Sequence, residues 1–288
     1  MQTLDTVAAM RQASARFRAD GLRIGFVPTM GFLHEGHRSL MRLLRPQVDR
    51  LVVSIYVNPL QFAPHEDFDV YPRDPEGDSA ICEEEGADVI FMPPPAGDPT
   101  GLYPPGFQTR IHVPALDDGR LCAKSRPHFF EGVATVVYRL FQVVGCDMAA
   151  FGEKDFQQLT IIRRMVADLE MGIDIVGGPI IREDDGLAMS SRNAYLKGVD
   201  RQRAVSLSRG LRAMQGALAD GVTDAAALIE VAKAELEVDA LDYLEVVDKD
   251  SLAKVGEVTR ESRAAIAAMV GRTRLIDNVA LVPRGAGS

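Results

Sequence analysis

The sequence predicts an α/β fold, in which a parallel sheet covered by helices is followed by a smaller α+β unit. Short apolar segments rich in β-branched residues alternate with helical segments over the first 178 residues. Such segments are typical of parallel strands that are buried on both faces. After Gly177, Gly178 and Pro179 the pattern changes to long helices rich in Ala, Leu, Arg and Glu, which indicates a second unit.

The first unit alternates strands and helices after an amphipathic helix that is expected within residues 1–19. Its clearest strand is the segment 51–57 (LVVSIYV), which is almost entirely apolar. Strands are predicted at residues 23–28, 51–57, 88–92, 148–151 and 173–176, and helices at residues 37–44, 78–85, 133–144 and 155–169. In a Rossmann-like sheet of this kind, ligands bind at the carboxyl ends of the strands.

The second unit is predicted to contain helices at residues 200–219 and 224–238 and strands at residues 241–247 and 264–270. We therefore divide the chain into a Rossmann-like domain, residues 1–178, and a smaller C-terminal α+β domain, residues 179–280. Residues 281–288 are set apart because Leu281 to Gly285 (LVPRG) resembles a protease-cleavage linker. This tail is either a cloning remnant or native.

The composition excludes several classes of function. A net charge of −9 argues against a nucleic-acid-binding surface, and anionic substrates must therefore be bound by local cations and backbone N–H groups. The three cysteines, Cys82, Cys122 and Cys146, are too widely spaced for a zinc site and predict reduced thiols. Neither a membrane span nor a secretory signal is apparent, so we expect a cytoplasmic protein without a membrane partner.

The densest group of candidate site residues runs from Pro28 to His37 (PTMGFLHEGH), where the first strand turns into the first helix. Gly31 and Gly36 permit a tight turn and close approach to a phosphate. The helix N-terminus offers free N–H groups, and His34 and His37 are spaced to face one ligand. This HxGH element resembles the nucleotide-binding histidine motif of class I nucleotidylyl-transferring enzymes, with an ordinary turn as the alternative.

Two further segments are candidates for phosphate binding. Ser190 to Asn193 (SSRN) places small hydroxyl groups beside an arginine, as in a mobile phosphate-binding loop, although a polar helix cap is the alternative. Gly152 to Asp155 (GEKD) lies at another junction between a strand and a helix, where Lys154 supplies a point charge. The alternative for this segment is a solvated turn.

Two amide side chains are candidates for binding a small polar substrate. Gln61 follows the second strand in NPLQF, and Gln158 follows the fourth strand in KDFQQ. Because an amide offers both donors and acceptors, the pair suits hydroxyl groups better than phosphate. The alternative for the first segment is a capped turn organised by Asn58 and Pro59.

Taken in order, these motifs resemble the pantothenate synthetase (pantoate–β-alanine ligase) family. The series comprises PTMGxLHxGH, NPxQF, YPRD (Tyr71 to Asp74), SRP (Ser125 to Pro127), FGEKDxQQ and REDDGLAMSSRN, which together span Pro28 to Asn193. The resemblance continues through Leu241-Asp242-Tyr243 to Arg274-Leu275-Ile276-Asp277. A single motif arises easily by chance, whereas six in the same order are specific.

The resemblance implies AMP-forming ligation of pantoate and β-alanine through a pantoyl adenylate, with ATP and Mg²⁺, in a homodimer. It implies that Gln61 and Gln158 hold pantoate and that His37 acts as an acid near the leaving pyrophosphate. The implied ATP-binding residues are Met30, Gly31, Phe32, Leu33, His34, Glu35, Gly36, His37, Gly152, Glu153, Lys154, Asp155, Ile181, Met189, Ser190, Ser191 and Arg192. His34, His37, Lys154 and Arg192 are the expected catalytic residues, and we expect them to gather positive charge at one place.

One segment departs from the family pattern. The family reads SRPGHF, whereas this chain reads Ser125-Arg126-Pro127-His128-Phe129-Phe130. An alignment without a gap places the family histidine on Phe129, with His128 one position earlier. Arg126 is retained as a candidate for contact with a carboxylate or phosphate.

Two other functions are compatible with the same motifs. A nucleotidylyltransferase of the same superfamily would keep the adenylyl group in its product, and a non-catalytic nucleotide sensor would bind ATP without turnover. The ligands of Mg²⁺ are left open. Asp67, Asp69, Asp74 and Asp78 offer suitable oxygen atoms, with capping of the helix near Pro75 as the alternative.

Overall fold

The computed structural model describes residues 1–63 and 68–284, so the predicted metal-ligand candidate Asp67 lies outside the described residues. Its larger sheet has six parallel strands. These are β1 (Gln2–Leu4), β2 (Ile24–Thr29), β3 (Arg50–Ile55), β4 (Val89–Phe91), β5 (Met148–Gly152) and β6 (Asp174–Gly178), in the spatial order β1-β4-β3-β2-β5-β6. The predicted α/β class with a parallel sheet is therefore confirmed.

The helices of this unit cover both faces of the sheet. They are α1 (Val7–Ala19), α2 (Glu35–Leu44), α3 (Pro75–Glu84), α4 (Pro114–Asp117), α5 (Phe129–Val144) and α6 (Phe156–Asp168). Apolar residues of α1, α5 and α6 pack in one core with Phe26 and Val52, whereas α2 and α3 pack on the other face with Val27 and Val53. The inward-facing residues thus alternate along β2 and β3, as the pleat requires.

The order of the strands predicts where a ligand crevice lies. From β2 the chain proceeds outward through β3 and β4 in one direction, and β5 and β6 continue the sheet in the other. Neighbouring β2 and β5 therefore form the topological switch point, where the connections leave the sheet in opposite directions. The histidine motif follows β2 and the GEKD segment follows β5, so both lie at this edge.

The smaller unit contains helices α7 (Gly198–Ala204), α8 (Ser206–Ala219) and α9 (Ala225–Lys233) and an antiparallel sheet of β7 (Ala240–Asp248), β8 (Ser262–Val270) and β9 (Thr273–Leu281). Strand β8 is buried on both faces. Ala264 and Ile266 pack against the helices of this unit, whereas Ala265 and Ala267 pack in the core of the large sheet. Small side chains in β8 thus let the two units approach closely.

Several predicted boundaries need correction. The helix expected at residues 200–219 is divided at Val205, which lets Ala204 and Leu207 both reach the core. Strands β1 and β9 were missed by the sequence analysis. Leu281 ends β9, pairs with Ser262 and is fully buried, so the fold includes a residue that was assigned to the tail. Residues 285–288 of that tail lie outside the described residues.

The described ranges contain no helix with the length and apolar composition that crossing a bilayer requires. All three cysteines are free and buried: Cys82 lies in α3, Cys122 in the 3₁₀ helix Leu121–Lys124, and Cys146 between α5 and β5.

Candidate active site

A cavity of about 290 Å³ lies between the carboxyl edge of the large sheet and the smaller unit. It brings together most of the predicted site residues. Those in its lining are Met30, His34, Gly36, His37, Gln61, Gly152, Lys154, Asp155, Gln158, Ile181, Met189, Ser190, Ser191 and Arg192. Gly31, Phe32, Leu33, Glu35 and Glu153 are not part of the lining.

The turn after β2 is held in place by Asp78 of α3. The carboxylate of Asp78 accepts hydrogen bonds from the backbone N–H groups of Phe32 (2.9 Å) and Leu33 (2.7 Å). Gly31 has φ +84°, and a Cβ there would lie 2.8 Å from the Asp78 carboxylate, so the turn requires glycine. Phe32 and Leu33 therefore contribute to the site by shaping the turn that presents Met30.

His34 and His37 both use Nδ1 to cap α2. Nδ1 of His34 accepts from the backbone N–H of Gly36 at 3.1 Å, and Nδ1 of His37 accepts from the backbone N–H of His34 at 3.2 Å. The two ring centroids are 4.2 Å apart. Because each Nδ1 is an acceptor, the proton of each neutral ring is on Nε2. Each ring can therefore donate one hydrogen bond from Nε2 to a ligand.

The two imidazoles are neutral at pH 7, contrary to the expectation that they add positive charge. Burial, helped by the positive charge of Lys154, lowers the pKa of His34 from 6.5 to about 4. Burial, helped by repulsion from His34 and Lys154, lowers the pKa of His37 from 6.5 to about 3. Of the four residues predicted to be catalytic, Lys154 and Arg192 are therefore the cations, and the two histidines serve as neutral hydrogen-bond donors.

The short 3₁₀ turn that carries Lys154 is fixed by a residue of the smaller unit. Nδ2 of Asn278, on β9, donates to the carbonyl oxygens of Glu153 and Lys154, at 2.9 Å each. The guanidinium of Arg263, on β8, lies 4.1 Å from the centre of the Phe156 ring and 3.5 Å from the Glu153 carboxylate. Glu153 is thus engaged at the junction of the two units. Among the other predicted residues, Glu35 pairs with Arg42 on the surface of α2.

The segment from Ile181 to Asn193 folds back on itself and is tied to both units. Arg182 donates to both carboxylate oxygens of the buried Asp277 (2.7 and 3.0 Å), which fixes the segment to β9. Ser190 caps the following 3₁₀ helix by accepting from the N–H of Arg192 at 3.3 Å. The Ser191 hydroxyl lies 3.3 Å from the hydroxyl of Tyr71. Ser190 therefore caps a helix, as the alternative for this segment predicted, and the segment also lines the cavity.

Asn58 and Gln61, which both line the cavity, belong to a network of hydrogen bonds. Buried Asn58 donates from Nδ2 to Oε1 of Gln61 (3.0 Å) and to the carbonyl oxygen of Gly132 (3.1 Å), and its Oδ1 accepts from the Tyr103 hydroxyl (3.0 Å). A Cβ at Gly132 would lie 2.2 Å from the carbonyl oxygen of Leu60, so only glycine lets α5 approach this turn. The network orients Gln61 so that its Nε2 lies toward Met30 Sδ, a weak acceptor, at 3.1 Å.

The two consecutive glutamines at the start of α6 have different roles. Gln157 is buried, and its amide is saturated by the N–H of Cys122 and the carbonyl oxygens of Leu116 and Arg120. Gln158 lines the cavity, and within residues 1–63 and 68–284 its side chain makes no hydrogen bond. Gln158 is therefore the glutamine that is available to a ligand.

Comparison with known proteins assigns this arrangement to a family. A family model described as pantoate-beta-alanine ligase matches residues 2–280. The chain belongs to the pantoate–β-alanine ligase family. It is therefore an enzyme of the class predicted from the motif series. The pantothenate synthetase of Myxococcus xanthus (strain DK1622) is 50% identical over 282 residues, which cover 96% of this chain and 95% of that protein.

Solved structures agree with the assignment to the pantoate–β-alanine ligase family. A pantothenate synthetase from Thermus thermophilus matches with a TM-score of 0.91 and 41% identity, over 98% of this chain and 100% of that one. A pantoate-beta-alanine ligase from Francisella tularensis, solved in complex with beta-gamma ATP and beta-alanine, matches with a TM-score of 0.78 and 31% identity over 97% of both chains.

The segment that departs from the family pattern places a phenylalanine in the cavity wall. Phe129 lines the cavity, and the guanidinium of Arg126 lies 3.7 Å from the centre of its ring. Arg126 also donates to the carbonyl oxygen of Gln61 at 3.3 Å. His128 is exposed, lies outside the lining and has φ +68°, a left-handed conformation that favours glycine. His128 thus occupies the position of the family glycine and does not replace the family histidine.

Sequence reasoning missed cavity residues that come from distant parts of the chain. Arg274 of β9 and Tyr243 of β7 meet at Cys122, whose Sγ lies 3.0 Å from the Tyr243 hydroxyl and 3.4 Å from Arg274. Tyr56, directly after β3, also lines the cavity. The family-like segments 241–243 and 274–277 were a usable signal for Tyr243 and Arg274, whereas the pattern of β3 marked Tyr56 only as a strand residue.

Proposed function

We propose that the protein joins pantoate to β-alanine in an ATP-dependent, AMP-forming reaction that proceeds through a pantoyl adenylate. One observation carries the proposal: the imidazole pair with Lys154 and the amides Gln61 and Gln158 line the same cavity. The first group suits a triphosphate, and the second suits a small hydroxylated acid. The ATP and β-alanine bound to the Francisella tularensis relative support the same assignment of substrates.

In the first step, a carboxylate oxygen of pantoate attacks the α-phosphorus of ATP. An oxygen–phosphorus bond forms while the bond to the pyrophosphate oxygen breaks, and pyrophosphate leaves with the bonding electron pair. Lys154 and Arg192 stabilise the negative charge on the phosphates, and His34 and His37 donate hydrogen bonds from Nε2.

In the second step, the amine of β-alanine attacks the carbonyl carbon of the adenylate. The carbon–nitrogen bond forms, the bond between the acyl carbon and the phosphate oxygen breaks, AMP leaves with that electron pair, and the nitrogen releases a proton to solvent to give the amide. A protein nucleophile is not required, so the chain contributes positioning and charge stabilisation. Residues 181–193 cover the cavity and protect the adenylate from water. We therefore assign the binding of ATP and pantoate to residues 1–178 and the role of a lid to residues 179–280.

Mg²⁺ enters, in this proposal, as the ion bound to ATP. Within residues 1–63 and 68–284, no group of three His, Cys, Asp or Glu side chains is placed to hold a metal. Asp78 uses its carboxylate to hold the turn after β2, and Asp74 caps α3 by accepting from the N–H of Gly77. These residues fit Mg²⁺ poorly, whereas phosphate oxygens and water are its usual ligands in such enzymes.

We also propose that the protein acts in the cytoplasm as a homodimer, as the family resemblance implies. Light scattering on the purified protein tests the oligomeric state. A mass of twice 31.4 kDa supports the dimer, and a mass equal to one chain at working concentration refutes it.

ATP–pyrophosphate exchange tests the reaction. With Mg²⁺ and pantoate present and β-alanine absent, labelled pyrophosphate is expected to enter ATP, because adenylate formation is reversible. Exchange that is independent of pantoate contradicts the proposal. If no exchange occurs and AMP appears only when both acid and amine are present, the adenylate step is refuted while the ligase remains. Retention of the adenylyl group in the product indicates a nucleotidylyltransferase, and ATP binding without turnover indicates a sensor.

A further inference from the structure

Tyr56 carries a polar group that the fold leaves without a partner. It directly follows β3 at the carboxyl edge of the sheet, is only 6% exposed, and forms part of the cavity wall. Its ring packs edge-on against the ring of Tyr103, with centroids 6.0 Å apart. The hydroxyl oxygen of Tyr56 is buried, and no hydrogen-bond partner for it exists among residues 1–63 and 68–284.

The hydroxyl of the neighbouring Tyr103, by contrast, has a hydrogen-bond partner within the protein. Its hydroxyl donates to Oδ1 of Asn58 at 3.0 Å and so belongs to the network that orients Gln61. Buried hydroxyl groups in folded proteins nearly always have such a partner, because leaving one unpaired is costly. The hydroxyl of Tyr56 lacks one, and its residue lines the cavity, so the missing partner is expected to be a ligand atom.

The chemical setting indicates which part of a ligand this hydroxyl would meet. Burial raises the pKa of Tyr56 to about 12, so the hydroxyl stays protonated and is able to donate. Phe130, Val133 and Val137 of α5 also line the cavity and belong to the same apolar cluster as Tyr56. Asn58 and Gln61, two and five residues further along the chain, add amides to the lining of the same cavity. A branched aliphatic group that bears a hydroxyl fits this combination.

We propose that the hydroxyl of Tyr56 donates a hydrogen bond to a hydroxyl group of the acid substrate, which makes Tyr56 a specificity-determining residue for a hydroxy acid. The inference rests on the proposed function, in which that acid is pantoate. Tyr56 thereby adds a donor to the amides Gln61 and Gln158, and it rejects acids of the same shape that lack the hydroxyl group.

The test compares Tyr56→Phe with the matched variant Tyr103→Phe by calorimetric binding and thermal unfolding. Tyr56→Phe is expected to weaken pantoate binding about tenfold, which corresponds to about 1.4 kcal/mol, because one hydrogen bond is lost. ATP binding should be unchanged, and Tm should not fall, because the substitution removes an unpaired buried group. Tyr103→Phe should lower Tm, since Oδ1 of Asn58 loses the hydroxyl donor at 3.0 Å and keeps only the backbone N–H of Leu60 at 3.3 Å.

Two deoxy analogues of pantoate, each lacking one hydroxyl group, complete the test. The wild type should bind one of them about tenfold more weakly than pantoate, whereas Tyr56→Phe should bind that analogue and pantoate equally, within about twofold. Unchanged pantoate affinity in Tyr56→Phe, or an undiminished preference for pantoate over both analogues, overturns the proposal. Failure of the proposed function is distinct, because the wild type itself would then not bind pantoate.

Discussion

The backbone N–H of His34 donates to Nδ1 of His37 at 3.2 Å, while Nδ1 of His34 accepts from Gly36 at 3.1 Å. His34 thus takes the N-cap role that Ser, Thr, Asp or Asn usually takes, and His37 takes the role of the Glu or Gln of a capping box. Each ring is left with Nε2–H for a ligand. The structure of α2 and the chemistry of the cavity therefore depend on opposite nitrogens of the same side chains, and substitutions can separate the two roles.

His37→Asn and His37→Gln separate capping from catalysis. Asn places an acceptor near the position of Nδ1 and lacks the distant nitrogen, so we expect unchanged stability and a loss of exchange of about 10²–10³-fold. The single amide of Gln either accepts from the N–H of His34, as in a capping box, or reaches toward the position of Nε2, so we expect a smaller loss of exchange and a destabilisation of no more than about 1 kcal/mol. Pyrophosphate exchange and urea unfolding measure the two effects. Full exchange in His37→Asn would refute a role for Nε2.

The neutral histidine pair also makes a prediction about acid stability. In the folded chain the pKa values of His34 and His37 are lowered to about 4 and about 3, from 6.5. The unfolded chain therefore binds these protons at higher pH than the folded chain does. The free energy of unfolding should fall as the pH drops below about 6.5, with a slope of about 1.4 kcal/mol per pH unit for each histidine.

Urea unfolding between pH 7 and pH 5 measures this slope, and His37→Asn is the control. That variant has one lowered histidine fewer, so its stability should depend on pH less steeply than that of the wild type. Equal slopes for the two proteins would show that His37 is not a source of the pH dependence.

The positive charge of Lys154 affects the protonation of the two histidines. Its positive charge contributes to the lowered pKa of both His34 and His37, after the larger effect of burial. Lys154→Met should therefore raise both pKa values and weaken ATP binding about tenfold or more, since a charge-assisted contact is lost. NMR titration of the imidazoles and calorimetry measure these changes. Lys124→Met is the control, because Lys124 pairs with Glu245 at 2.6 Å instead. Unaltered titration of both rings in Lys154→Met contradicts the linkage.

The sequence was sufficient to predict the parts of the site that follow β2 and β5. The carboxyl ends of adjacent parallel strands lie at the same edge of the sheet. A residue that directly follows one of these strands in the sequence is therefore expected at that edge. Met30, His37, Lys154 and Gln158 were predicted in this way, and the structure brings them to one cavity. How they contribute to ATP or pantoate binding stays a prediction.

Features that depend on contacts between distant segments could not be predicted. The sequence makes Asp78 a candidate metal ligand, but its two hydrogen bonds to the turn after β2 depend on how α3 packs against the sheet. The neutral state of His37 follows from burial, which a local motif does not encode. Strand β9 was missed because Arg274 and Asp277 interrupt its apolar pattern, and both charges are balanced by residues far along the chain, Asp242 and Arg182.

The pairing of Arg182 with Asp277 yields a prediction about residues 181–193. Asp277 is 3% exposed and receives two hydrogen bonds from Arg182, so Asp277→Asn leaves a half-buried guanidinium without its counter-charge. We expect destabilisation of about 2 kcal/mol and a raised KM for ATP, because the segment that carries Ser190 and Arg192 loses its attachment to β9.

Asp174→Asn is the matched control for that substitution. Asp174 also pairs with an arginine, Arg23, at 2.9 Å, but their side chains are 69% and 47% exposed. An exposed pair of this kind is screened by water, so its loss should change stability by no more than about 0.5 kcal/mol and leave the KM for ATP unaltered. Urea unfolding and initial-rate kinetics on both variants provide the comparison. Equal effects of the two substitutions would mean that the buried pair does not hold residues 181–193 over the cavity.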